Sequence, residues 1–376
     1  MKKHLECRLS IKVKNEISQL AQGILGCLNP RLSQPGLSNA IFLEERRLQR
    51  IKQAAPVYSE SRYVYFHEIS SHFIDILSKI MLTRWRCGYS RTTVLAGFSL
   101  LAEAAFFPSP GLVNLIDSGP HRDMDFFTFV RSVASLLPFF EQALSDDVLS
   151  EGDEEVFQKL REIGYRAETS MFSFTNHINT HKGSIFLFLI VIGAYRLICH
   201  HKIQKKPEEL FATIRKMTGK VLDQDIRNNK NETIGQRANR DFGLLGIRGE
   251  VIQGLPNVRH VGLTVFQKTL SEGRRLNRAL TTTLLHIQSE LNDTTLLSRG
   301  YTLKRIDRVK QLSSDLKHLS LTKTKAKYFI TVDKIFVMEN LNPGGAADLT
   351  AVTLFVWLLF NIQGLAIGGK HERIFV

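Results

Sequence analysis

Hydrophobic residues fall at helical spacing through most of the chain. Ile17, Leu20, Ile24 and Leu28 sit three or four apart, and Ile69, Phe73, Ile76, Leu77 and Ile80 repeat the pattern inside Phe66–Leu82. Such spacing puts the apolar side chains on one face of a helix. Between these stretches Pro30, Pro35 and Gly36 predict a break, and Ile41–Ala54, dense in Arg and Glu, predicts a solvated helix face. Further helices are predicted over Thr93–Phe107, over Asp125–Leu144 with Pro138 as a kink, and from Asp153, the expected cap, through Val156, Leu160, Ile163 and Ala167. Pro207 opens another before Leu210, Ile214 and Met217, and Val261–Leu291, Leu303–Leu319, Lys327–Asn340 and Ala346–Phe360 complete the set. No run alternates apolar and polar residues as a half-buried strand would. The expected architecture is all-α. A helical extension of unassigned role occupies residues 1–90, and one multi-helix domain over 91–376 carries motif-bearing loops that converge on one pocket.

Two stretches need a membrane test. Gly183–His200 is apolar nearly all round, but its inner run Ile185–Cys199 is short and carries Arg196; Leu349–Ile367 is long enough to span yet contains Asn361, Gln363 and Gly364. Both are expected to be buried core helices rather than spans. Met1-Lys2-Lys3 resembles the start of an export signal, but Arg8, Lys12, Lys14 and Glu16 interrupt any apolar run behind it.

Charge narrows the partners. Fifty Lys plus Arg against 36 Asp plus Glu leave a net charge of +14, which favours anionic ligands. The aromatic residues are mostly Phe inside apolar runs rather than interleaved with basic residues, so nucleic acid is not expected as the ligand. Cys7, Cys27, Cys87 and Cys199 form no C-x-x-C pair, which fits reduced thiols in a cytoplasm. Cys199-His200-His201 could suggest a metal site, but neighbours on a helix point in different directions.

Five polar or glycine-rich segments stand at helix ends. Pro108–Asp125 ends in His121-Arg122-Asp123-Met124-Asp125, where Asp123 and Asp125 are either hard ligands for magnesium or plain helix caps. Asn179-Thr180-His181-Lys182-Gly183 precedes the most apolar helix, so Lys182 and the free N–H groups there suit phosphate. Gly246-Ile247-Arg248-Gly249-Glu250 offers a bidentate phosphate ligand in Arg248 and an acid in Glu250. Asn292-Asp293-Thr294 with Ser298-Arg299-Gly300 pairs an acid and a base. In Asn342-Pro343-Gly344-Gly345-Ala346-Ala347-Asp348, Gly344 and Gly345 permit an anion-binding concavity. There is no GxxxxGK[ST], no GxSxG and no HExxH, so any phosphate site must be assembled from helix ends.

In this order the five segments resemble the triphosphoribosyl-dephospho-CoA synthase family over roughly Leu95–Phe360. Asn179–Gly183 and Arg248-Gly249-Glu250 match its motifs without change, Asp123 and Asp125 are kept, and Pro343-Gly344-Gly345 with Ala347-Asp348 carries the last motif. Ser109 and Asn114 stand where the family has a lysine and an aspartate, and Tyr301 where a glycine is usual. The resemblance implies a cytoplasmic, all-α, magnesium-dependent transferase. It would join ATP to 3′-dephospho-CoA and release adenine, making the precursor of the citrate lyase or malonate decarboxylase prosthetic group. The product would pass to an acyl-carrier-protein nucleotidyltransferase. Expected roles follow from that reaction. Mg²⁺ would sit on Asp123 and Asp125. Lys182, Arg248, Arg299, Asn179, Gly344 and Gly345 would hold the triphosphate. Glu250 or Glu168 would act as base, and His121, His181 or Asp293 as donor to adenine. Alternatives are a metal-dependent nucleotide phosphohydrolase on the same residues, or a divergent member weakened at Ser109 and Asn114.

Overall fold

The computed structural model describes residues 9–56, 59–83, 88–227 and 234–362, and among them there is no strand. The chain runs through α1 (Ile11–Cys27), α2 (Gln34–Gln53), α3 (Ser59–Thr83), α4 (Arg91–Ala105), α5 (Phe126–Gln142), α6 (Asp153–Phe174), α7 (Lys182–His200) and α8 (Pro207–Arg227). It continues through α9 (Ile234–Phe242), α10 (Gly246–Ile252), α11 (Leu263–Ser271), α12 (Leu276–Glu290), α13 (Lys304–Leu316), α14 (Ala326–Met338) and α15 (Gly344–Asn361).

The two most apolar helices, α7 and α15, pack against each other at the centre, each long and apolar enough to cross a membrane yet largely enclosed by the rest of the protein. Their contact is partly aromatic. Phe188 stacks on Phe355 with ring centroids 5.1 Å apart and on Phe140 of α5 at 5.7 Å. α4, buried along its length from Thr93 to Ala105, lies against α5 and α15, and α12 covers α15 from another side. Arg196, which interrupts the apolar run of α7, reaches Leu144 O and Asp146 at the surface. Residues 363–367 of the second candidate span, like Cys7, Cys87 and Met1–Lys3, lie outside the described residues.

The N-terminal helices join the same continuous core. Tyr63 and Phe66 of α3 pack on Phe107, and Phe73 meets Phe126 edge-on at 5.8 Å. Arg275, just before α12, donates to both Asp75 and Glu68 of α3, and the Tyr63 hydroxyl donates to Asp333 of α14. The extension is thus fastened to the larger helical body by apolar faces and by two polar ties.

Three local expectations differ from the structure. Pro35 and Gly36 lie inside the first turn of α2, whose cap is Ser33 accepting from Gly36 N; proline is tolerated there because a first-turn N–H has no helical partner. The cap of α6 is Gly152, and Asp153 sits in the first turn, paired with Lys216 at 2.8 Å. The stretch Val261–Leu291 is two helices, broken where Gly273 adopts φ +71°, with α11 entered through a wide π turn over Asn257–Gly262.

Candidate active site

The segment between α4 and α5 crosses the interior, so its backbone polar groups need partners. α12 supplies them. Asn277 exchanges two hydrogen bonds with the backbone of Phe107, Thr281 donates to Pro108 O, and Gln288 donates to Pro110 O. Gly111 takes φ +81° with its Cα against Phe336 and Leu341 O, an approach no side chain would permit. Ser109 is buried in this pinned segment, and Asn114 folds the next turn by accepting from Ile116 N and Asp117 N. Neither residue lines the cavity described below, so these two departures from the family pattern fall in the scaffold of the loop.

Beyond this turn Leu112, Val113, His121 and Met124 face a cavity of about 840 Å³. His121 accepts from Arg299, whose Nη2 lies 3.1 Å from Nδ1, and burial together with that guanidinium lowers the pKa of the imidazole. Arg299 itself is outside the cavity wall and also donates to Asn340. Asp123 and Asp125 are exposed and flank Met124 rather than lining the cavity. Asp125 caps α5: its Oδ1 accepts from Thr128 N at 2.9 Å and from the Thr128 hydroxyl at 2.8 Å. Among the described residues no group of three or more His, Cys, Asp or Glu side chains could hold a metal ion. One or two carboxylates suffice for an ion that arrives on phosphates, and Asp123 with the remaining oxygen of Asp125 offers such a pair.

The start of α7 forms a second wall. Asn179 Oδ1 accepts from Lys182 N, and Lys182 Nζ reaches Glu168 Oε1 of α6 at 2.5 Å. His181 is buried at the head of α7. Its Nδ1 is 2.6 Å from Ser132 Oγ, which accepts from Thr180, while its Nε2 has no partner among the described residues. Burial lowers its pKa to about 3, so the ring is neutral. Gly183 lets the carboxyl of Asp348 press against the helix start, where a Cβ would meet Oδ2 at 2.1 Å; Oδ1 accepts from the Ser184 hydroxyl.

The third and fourth walls come from later segments. Gly246–Glu250 is a short helix, α10, rather than the expected loop, with Gly246 at φ +56° turning the chain into it. Arg248 lines the cavity. Glu250 does too, but its carboxylate accepts from the side chain and backbone of Asn257 and so holds the turn that follows. Asp293 is buried and spent on capping. It accepts from Thr295 N at 3.0 Å, from the Thr295 hydroxyl at 2.6 Å and from Ala346 N at 3.0 Å, tying a 3-10 turn (Thr294–Arg299) to the first turn of α15. Gly345 N donates to Thr295 Oγ1. The backbone concavity expected at Gly344-Gly345 is therefore already filled in part by the protein's own Asp293 and Thr295.

The cavity brings together His121, Glu168, Asn179, His181, Lys182, Arg248, Glu250, Asp293, Gly344 and Gly345 and leaves Asp123, Asp125 and Arg299 outside its wall. It also contains a residue the motif reading passed over. Glu103, on α4, lines it beside Asp348, and burial with that second carboxyl raises its pKa to about 8; Asp348 is raised to about 7, again chiefly by burial. A lone acid inside the Leu- and Ala-rich run of α4 was the available signal.

Comparison with known proteins identifies the family. Residues 90–366 match the family model described as ATP:dephospho-CoA triphosphoribosyl transferase. A probable 2-(5″-triphosphoribosyl)-3′-dephosphocoenzyme-A synthase of Vibrio cholerae (strain M66-2) is 32% identical over 278 residues, covering 72% of this chain and 88% of the relative. Proteins of the same description from Streptococcus mutans (34% identical, 69% and 93% covered) and Photobacterium profundum (33%, 71% and 86%) are similar to it as well. No solved structure matches. The chain belongs to the ATP:dephospho-CoA triphosphoribosyl transferase family.

Proposed function

We propose that this transferase joins ATP to 3′-dephospho-CoA, releasing adenine and leaving the triphosphate on the transferred ribose. One observation carries the reading: a single cavity takes its wall from all five motif segments, between His121 and Asp348. Phosphate-binding character, a neutral imidazole and a deep carboxyl meet in it, on a chain whose family is defined by this reaction.

The chemistry sets three demands. The triphosphate needs positive charge, which Lys182 and Arg248 supply from the wall and Arg299 from behind His121. Magnesium entering with ATP would neutralise part of that charge on Asp123 and Asp125. Adenine leaves with the electron pair of the glycosidic bond, and a hydrogen bond to the purine makes that pair easier to accept. His181 suits this role as a neutral ring whose Nε2 has no partner among the described residues, and His121 as a ring held by Arg299. Asp293 is removed from the donor role by its capping bonds. The free thiols at Cys27 and Cys199 support a reducing, cytoplasmic setting. In that setting the product would serve an acyl carrier protein of citrate lyase or malonate decarboxylase through a nucleotidyltransferase.

The test is incubation with ATP, 3′-dephospho-CoA and Mg²⁺, followed by mass measurement of the nucleotides. Free adenine together with a dephospho-CoA derivative enlarged by ribose triphosphate is expected. Release of phosphate or pyrophosphate with adenosine intact would overturn the reading in favour of a phosphohydrolase.

A further inference from the structure

Six carboxyl groups line the cavity: Glu103, Glu168, Asp225, Glu250, Asp293 and Asp348. Five have protein partners. Glu168 is paired with Lys182, Asp225 with Arg161 at 3.2 Å, and Glu250 accepts from Asn257. Asp293 is consumed by the two helix starts it caps, and Asp348 accepts from Ser184. Glu103 is the exception. It is 6% exposed, and among the described residues no hydrogen bond or ion pair satisfies it. Its one close charged neighbour is Asp348, a like charge that makes an ionised Glu103 still less comfortable. A buried carboxyl without a partner is costly to keep unless something else satisfies it. Its immediate neighbours in α4, from Leu100 to Ala105, are apolar, and the helix packs among α3, α5 and α15.

Resting on the transferase reading above, we propose that Glu103 is the general base that takes the proton from the attacking ribose hydroxyl of 3′-dephospho-CoA. The hydroxyl O–H bond breaks toward the Glu103 carboxylate, and the freed oxygen pair forms the new bond to the anomeric carbon of ATP. The bond from that carbon to the adenine nitrogen breaks, and its pair leaves on adenine. The proton held by Glu103 then passes to water or to the departed base, so atoms and charge balance. A carboxyl kept protonated by its surroundings until near neutral pH holds a proton well once it has taken one, whereas the carboxylate of Glu168 is already engaged by Lys182. This places the acceptor of the hydroxyl proton deep at α4. The candidates expected from the motifs, Glu168 and Glu250, then position Lys182 and the turn at Asn257.

Substitution decides the matter. Glu103→Gln keeps the shape, and binding of ATP followed by calorimetry should stay within about threefold of wild type while kcat falls by about 10²–10⁴-fold, the usual worth of a general base. Glu103→Asp should retain measurable turnover. In wild type the deprotonated acid is the active form, so kcat should rise with pH toward a plateau above about pH 8, and this limb should move in Glu103→Asp. A purely structural role would lower ATP binding and melting temperature together and leave the limb in place. Wild-type adenine release matched by an equally active Glu103→Gln overturns the role of Glu103 alone. A wild-type chain that releases no adenine overturns the transferase reaction and the base with it.

Discussion

Single side chains here divide into those that hold the cavity open and those left free to act. Asp293 is of the first kind. Removing it strips the caps from two helix starts at once, so Asp293→Ala should lower stability by about 2–4 kcal/mol in urea unfolding, the sum of a lost N-cap and buried N–H groups left unpaired. His181 is of the second kind and carries a pH signature. Its folded pKa of about 3 lies below the ordinary 6.5, so the unfolded chain binds the extra proton between those values. Stability should therefore fall as pH drops from 6.5 toward 3, by up to about 1.4 kcal/mol per unit, and His181→Gln should flatten that slope in pH-dependent denaturation. The motif letters around both residues were readable in the sequence, but their division of labour was not. Asp293, a candidate donor, and Asp125, a candidate metal ligand, are seen to be helix caps only once the N–H groups they accept from are in place. Glu103 was hidden for the opposite reason, since its neighbours in the chain are apolar and the carboxyl it faces, Asp348, comes from α15.

At the level of elements, apolar spacing located most helices, because burial of one face is the force that makes them. Its failures were local. Gly246–Glu250 stands among the segments expected as motif-bearing loops, yet it forms α10, where Gly249 lies with its Cα against the Leu245 side chain. The break after α11 was missed because apolar residues continue on both sides of Gly273. Which helices would be neighbours was not readable either, and the attachment of α3 shows why. Its anchoring to α12 depends on Arg275, two hundred residues away in the chain, meeting Asp75. Arg275→Ala leaves Asp75 and Glu68 half-buried without their cation, and a loss of about 1–3 kcal/mol is expected in chemical denaturation. Replacing Asp75 and Arg275 together should cost less than the two single changes summed, as a double-mutant cycle would reveal.

Across the whole molecule, the positive balance of +14 and the cavity belong together, since a polyanionic substrate must be drawn in and held. Association with ATP should accordingly slow as ionic strength rises, which stopped-flow measurement at two salt concentrations would check. The wall of the cavity draws on chain positions as far apart as Glu103 and Leu349, so no fragment cut between them owns the binding surface. Recognition is then inseparable from completion of the fold. Nucleotide should act as a fastener on the entire protein, with saturation at a hundred times the dissociation constant adding about 2.7 kcal/mol against unfolding.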